Sequence, residues 1–256
     1  MRIAIVEWPE ALAADAAWWA QTKDAVAAAQ PDVLVTNELP FGAWIADSGT
    51  FSEAVAGASI QAHEDGLARL AELGVPAIIS SRPVWNGTRL ANEAFVLEGG
   101  VVRVLHRKQY FPDEPGWFEA DWYAGDGSGF AVTEVLGVKV GVLLCTEAMF
   151  NEHARGYGRQ GASLIVVPRA TGFEIESWKI AGAMAALVSG AYVVSSNRSG
   201  RSAAGIEFGG GGFAYAPQGR LLTVTTPAEP LQVFALETDV VAAAQRDYPC
   251  YVRECT

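Results

Sequence analysis

GVLLCTEAMF, residues 141–150, is the stretch on which the reading of this chain turns. The run leading through it, VKVGVLL (138–144), is apolar and rich in valine, the pattern of a buried strand. It stops at Cys145 and becomes polar in one step, at Thr146 and Glu147. Position alone leaves two readings open. A cysteine that closes an apolar strand is commonly an inert core thiol. It is also what a strand looks like when it delivers a nucleophile to the rim of a pocket.

Similar short runs recur along the chain. RIAIV (2–6), DVLVT (32–36), PAIIS (76–80), EAFVL (93–97) and VVRVL (101–105) precede the central strand. SLIVV (163–167), YVVSS (192–196), FAYA (213–216), LLTVT (221–225) and LQVFAL (231–236) follow it. Alanine-rich stretches at helical spacing lie between them, at 13–29, 52–73, 151–161 and 177–190. Strands this apolar need helices over at least one face, so the class is α/β. The order strand, helix, strand, helix, strand, hairpin occurs twice, with turns through Glu98-Gly99-Gly100 and Gln218-Gly219. Two such sheets packed face to face would make a four-layer α-β-β-α sandwich of two mixed sheets.

The chain has 256 residues, 50% of them hydrophobic, enough for one large core, and no low-complexity linker divides it. A single domain over 1–256 is expected. The net charge of −11 argues against nucleic acid and anionic membrane as partners, since both reward Lys and Arg. Three cysteines are too few for a disulfide scaffold. The start MRIAIVEWPE lacks a signal-peptide profile, and the most apolar stretch, Ile180 to Val194, is too short to span a bilayer. A cytoplasmic protein is expected. His63, His106 and His153 share no metal-ligand spacing, so no metal is expected, and His63 is expected to face solvent from its helix. FGGGGF (208–213) lacks the Lys-Ser/Thr ending of a phosphate loop and leads into a strand, so it reads as a hairpin approach.

Ligands of α/β folds sit beyond the carboxyl ends of the strands. Glu38 follows DVLVTN, Lys108 follows VVRVLHR, and Cys145 ends VKVGVLL. A thiol needs a base or a positive neighbour to become a thiolate. A carboxylate is a suitable base, and an ammonium steadies first the thiolate and then the oxyanion formed on attack. Each residue alone also has a plain structural reading, as a solvated loop acid, a surface lysine and a core thiol.

NELPF (37–41), HRKQYF (106–111) and GVLLCTE (141–147) resemble, in order, the three motif blocks of the nitrilase or carbon–nitrogen hydrolase superfamily. PDEPGWFEADWYAGDG (112–127) resembles the segment after the lysine in its amidase and carbamoylase branches. NEHARGYGRQGASLIVVPRATG (151–172) resembles the helix and strand after the cysteine, and the likeness runs from Met1 to about Tyr251. The resemblance implies the α-β-β-α sandwich, homodimers or higher homo-oligomers, and no metal or organic cofactor. It implies hydrolysis of a small amide or N-carbamoyl compound through a cysteine thioester. The implied roles are general base for Glu38, oxyanion stabiliser for Lys108, second site carboxylate for Glu119 and nucleophile for Cys145, with the Thr146 N–H on the oxyanion.

The family often carries an aromatic residue and then Asp after the nucleophile, where this chain has Thr146 and Glu147. Glu147 is therefore read either as a contact for a cationic or hydroxyl-bearing substrate or as the partner of an arginine. Arg169 is read as a carboxylate binder or as half of an internal salt bridge, and Trp117 as a pocket wall or core. Relatives also often carry Glu-Asn where this chain has Ser189-Gly190. Three alternatives stand beside the amidase reading. They are a nitrilase, a catalytically silent binder on the same sandwich, and an α/β nucleotide-binding protein. The last would need a glycine-rich strand-to-helix turn, where the chain has Glu7-Trp8-Pro9-Glu10.

Overall fold

Alternate residues of each apolar run are buried on opposite faces, and that alternation builds the layers. The computed structural model describes residues 1–10, 12 and 16–253. The first half runs β1 (Arg2–Val6), α1 (Ala16–Ala29), β2 (Val33–Val35), α2 (Glu53–Glu72), β3 (Ala77–Asn86), β4 (Arg89–Glu98) and β5 (Val101–Arg107). A short α3 (Glu119–Trp122) leads to β6 (Thr133–Val135), β7 (Val138–Val142), α4 (Asn151–Arg159), β8 (Leu164–Arg169), α5 (Ile175–Ser189) and β9 (Tyr192–Asn197). The remainder is β10 (Ser199–Arg201), β11 (Glu207–Gly209), β12 (Phe213–Tyr215), β13 (Leu221–Val224), β14 (Leu231–Ala235) and α6 (Thr238–Gln245).

Two six-stranded mixed sheets result, ordered β14-β1-β2-β3-β4-β5 and β13-β12-β9-β8-β7-β6. In each, three parallel strands (β1, β2, β3 and β7, β8, β9) continue into an antiparallel pair, and one further antiparallel strand closes the other edge. The repeat expected from the strand and helix order is thus present as matching topology. Ile3, Ile5, Val33, Val35 and Ile79 of one sheet pack on Val140, Val142, Leu164, Val166 and Val194 of the other. The intervening residues face helices. Ala4, Val6, Leu34 and Ile78 meet Val26 of α1 and Leu70 of α2. Leu143, Ile165, Val167 and Val193 meet Ala154 and Tyr157 of α4 and Ala185 and Ala186 of α5. The layer order is α-β-β-α.

Local chemistry sets the helix ends. The Ser52 hydroxyl accepts the Val55 N–H at the start of α2, and Gly190, at φ 65°, ends α5 in the left-handed region that glycine tolerates. The expected helices at 52–73, 151–161 and 177–190 are found within two residues of those limits, whereas α3 and α6 carry no strong apolar period and were not expected. Part of the expected helix at 13–29, and Cys255 with its possible pairing to Cys250, lie outside the described residues.

His63 corrects an expectation. It is buried on α2, not solvent-facing, with Nδ1 bonded to the Ser59 carbonyl at 2.7 Å and Nε2 accepting the Phe41 N–H at 3.3 Å. The loop after Glu38 needed an acceptor inside the protein, and α2 supplies it. FGGGGF does form the approach to β12. A Cβ on Gly212 would lie 2.7 Å from the Ser195 carbonyl, so the backbone packs there without side chains.

Candidate active site

Both sheets end their parallel strands at the same place. The Glu38 N–H, just past β2, donates to the Arg169 carbonyl at the end of β8 at 3.1 Å, joining the two sheets there. Lys108 follows β5, and its N–H donates to the Asn92 carbonyl of β4 at 2.9 Å. Glu119 opens α3, and Cys145 opens a 3-10 helix over Cys145–Met149 directly after β7. Cys145 sits at φ 51°, a left-handed conformation that costs a non-glycine residue energy and exposes the following N–H groups.

All four side chains are buried. The Lys108 ammonium donates to Glu38 Oε1 at 2.9 Å and to Glu119 Oε2 at 2.6 Å. Asn92 Nδ2 donates to the same Glu38 oxygen at 2.7 Å. Glu38 Oε2 and Glu119 Oε1 are buried with no hydrogen-bond partner among the described residues. A native interior rarely leaves two carboxylate oxygens idle, and Glu119, with Cys145, lines a cavity. That cavity is about 290 Å³ and is lined by Trp117, Glu119, Cys145, Thr146, Ala170 and Trp178 among others. Such a volume fits a small substrate.

The charges are tightly linked. Burial opposes the Lys108 charge, yet Glu119, Glu38 and Cys145 outweigh it and hold the ammonium well above its ordinary pKa. Burial raises Glu119 to about 7, against the pull of Lys108. Burial and the Glu38 charge also hold the Cys145 thiol above its ordinary value, while Lys108 and the Ala170 N–H pull it down. At neutral pH Cys145 therefore rests as a thiol, and its proton must leave as a new bond forms. The Thr146 N–H, in the first turn of the 3-10 helix, takes no acceptor among the described residues and is available to an oxyanion.

Two expected contacts fall elsewhere. Glu147 does not line the cavity, nor does it pair with an arginine among the described residues. Its oxygens accept from His106 Nε2 at 2.8 Å, the Gln109 N–H at 2.6 Å and the Leu144 N–H at 2.7 Å. Arg169 does not line the cavity, and it forms no salt bridge among the described residues. It lies behind the wall and donates to Ser195 Oγ, Thr171 Oγ1 and the Gly211 carbonyl, stacked on Trp178 and Phe213. Burial lowers its pKa to about 10. Trp117 and Thr146 do line the cavity.

Sequence reasoning missed Asn92 and Arg198. Arg198 is buried, pairs with Glu10 and donates to the carbonyls of Leu39 and Glu38, fixing the backbone that carries Glu38. Their signal was weak: a lone Asn within the apolar run RLANEAFVL and an Arg just after YVVSSN. Among the described residues, no group of three or more His, Cys, Asp or Glu is placed to hold a metal ion. No helix there is long and apolar enough to cross a membrane.

Comparison with known proteins agrees with this fold. A carbon-nitrogen hydrolase from Helicobacter pylori G27 superposes with a TM-score of 0.84 at 20% identity, over 98% of this chain and 94% of that one. An amidase from Nesterenkonia sp. gives 0.75 at 22% identity, over 94% and 92%. These establish the fold. An (R)-stereoselective amidase from Pseudomonas sp is 26% identical over 88% of this chain and 80% of its own length. An N-carbamoylputrescine amidase from Solanum tuberosum is 33% identical over 40% of this chain, and the match spans only 34% of that protein. The carbon-nitrogen hydrolase family profile matches residues 2–246, so the chain belongs to that family.

Proposed function

We propose that this chain hydrolyses a small amide or N-carbamoyl compound through a thioester on Cys145. The observation that carries the reading is Lys108, fixed between Glu38 and Glu119 at 2.9 and 2.6 Å, each carboxylate keeping one buried oxygen free beside a thiol. Glu38 takes the thiol proton as Sγ attacks the carbonyl carbon. Lys108 and the Thr146 N–H hold the oxyanion. The intermediate collapses, the C–N bond breaks, and ammonia leaves with the proton returned by Glu38. Glu38 then takes a proton from water, whose oxygen attacks the thioester. The acid departs and the thiol regains the proton. From an N-carbamoyl compound the amine leaves in place of ammonia, and water then releases carbamic acid from the carbamoyl thioester, which breaks down to carbon dioxide and ammonia.

Glu119 holds Lys108 in place and offers its free oxygen to the substrate N–H. Self-association into a dimer or higher oligomer belongs to the same reading, and the apolar side chains left exposed on α5, Ile180 and Met184, support it.

Ammonia release from a panel of amides, N-carbamoyl compounds and nitriles, by wild type and Cys145→Ala, tests the proposal. Release from amides or carbamoyl compounds that is lost in Cys145→Ala is the expected result. Release from nitriles alone would replace the reading with a nitrilase. No release, with a Cys145 that resists alkylation, would leave a silent binder.

A further inference from the structure

We infer that the substrate carries a positive charge: an aliphatic ammonium at the end remote from the bond that is cut. The inference rests on the hydrolase reading for the reacting end only. Three charged residues line the cavity, and all are glutamates: Glu114, Glu119 and Glu174. No Lys or Arg lines it among the described residues. Glu119 is the inner one, buried and with Oε1 unpartnered, an acceptor left open toward the cavity for a ligand donor.

Glu114 and Glu174 are exposed at the mouth and come from different segments, the loop before α3 and the turn before α5. Neither forms an ion pair among the described residues, and Glu174 has only a long contact from the Ser177 hydroxyl at 3.5 Å. Their charge is not cancelled from within. The Lys108 charge is already balanced by Glu38 and Glu119. Arg169 is spent on Ser195, Thr171 and Gly211 behind the wall. The field at the entrance is therefore negative, and it attracts cations and repels anions.

The walls between mouth and thiol suit a methylene stem. Trp117, Trp178 and Pro112 give apolar surface, and indole faces also favour a passing ammonium. At about 290 Å³ the cavity admits a short chain only. Exposed carboxylates act weakly, so each mouth glutamate is expected to contribute about two- to fivefold in affinity, and the pair on the order of tenfold.

The test uses Cys145→Ala and calorimetric binding of three compounds with the same amide end: γ-aminobutyramide (cationic), valeramide (its neutral isostere) and glutaramate (anionic). The expected order of affinity is cation, neutral, anion. The gap between the first two should be on the order of tenfold at low salt and should shrink as salt is added. In Glu114→Gln/Glu174→Gln on the same background the gap should close toward unity. Valeramide binding as tightly as γ-aminobutyramide, a gap unmoved by the double substitution, or no binding of any of the three would overturn the inference. Cation preference without ammonia release from wild type would leave this inference standing and remove the hydrolase reading alone.

Discussion

The Glu147 carboxylate meets the His106 imidazole at 2.8 Å with both side chains buried, and the contact joins the segments that carry Lys108 and Cys145. The same carboxylate holds the N–H of Leu144, immediately before Cys145, and the N–H of Gln109, immediately after Lys108. One side chain thus ties the segment of Cys145 to that of Lys108 without lining the cavity.

Glu147→Gln should therefore lower kcat more than it raises KM. The amide places an N–H against one of three donors, and a buried unpaired donor costs about 1–3 kcal/mol. Loss of alignment at the thiol is expected to reduce kcat roughly ten- to hundredfold. The rate of Cys145 alkylation, measured beside steady-state kinetics and thermal melting, should fall as well. A variant that melts lower yet keeps kcat and alkylation near wild type would make Glu147 a purely structural brace.

The difference between what was legible in the sequence and what was not follows from distance along the chain. Glu38, Lys108 and Cys145 each stand just past an apolar run, so strand periodicity alone places them on one rim. The matched sheets were legible for the same reason, since the strand and helix order repeats. Glu147 was misread because its partners lie 38 and 41 residues away on β5 and just after it, and nothing local marks them. Arg169 closes an apolar strand much as Glu38, Lys108 and Cys145 follow theirs, but its guanidinium turns behind the wall to Ser195 and Gly211. Asn92 and Arg198 act through Glu38 over 54 and 160 residues, a relation that only the folded chain creates.

His63 should make the fold sensitive to acid. Burial lowers its pKa from 6.5 to about 4, with the nearby Arg198 and Arg82 charges adding to it against the pull of the Ser59 carbonyl. Its Nε2 accepts the Phe41 N–H, so a proton there would face another proton. The unfolded chain takes up that proton near pH 6.5 while the native one resists until about 4. Stability from this group is present above the unfolded value and is lost as pH falls through that window, by up to roughly 3 kcal/mol. The imidazole signals of His63 in a proton NMR titration should remain those of a neutral ring at about pH 5. A midpoint near 6.5 would contradict the buried placement.

Glu119 should impose the opposite slope. Burial raises it from 4.5 to about 7, with Lys108 pulling down and Glu38 pushing up. Between those values the native state keeps a proton that the unfolded chain has released. The stability it contributes is therefore full below about 4.5 and is lost as pH rises through about 7. Glu119→Gln removes the titrating group while keeping its size. Its stability relative to wild type should then improve between about pH 5 and about pH 8, by up to roughly 3 kcal/mol in denaturant titrations. Above about pH 7 the same substitution takes one of two anions from Lys108, so kcat should fall there even though the fold gains. A stability difference that stays flat across that range would mean Glu119 is ionised throughout and that Lys108, not burial, sets its charge.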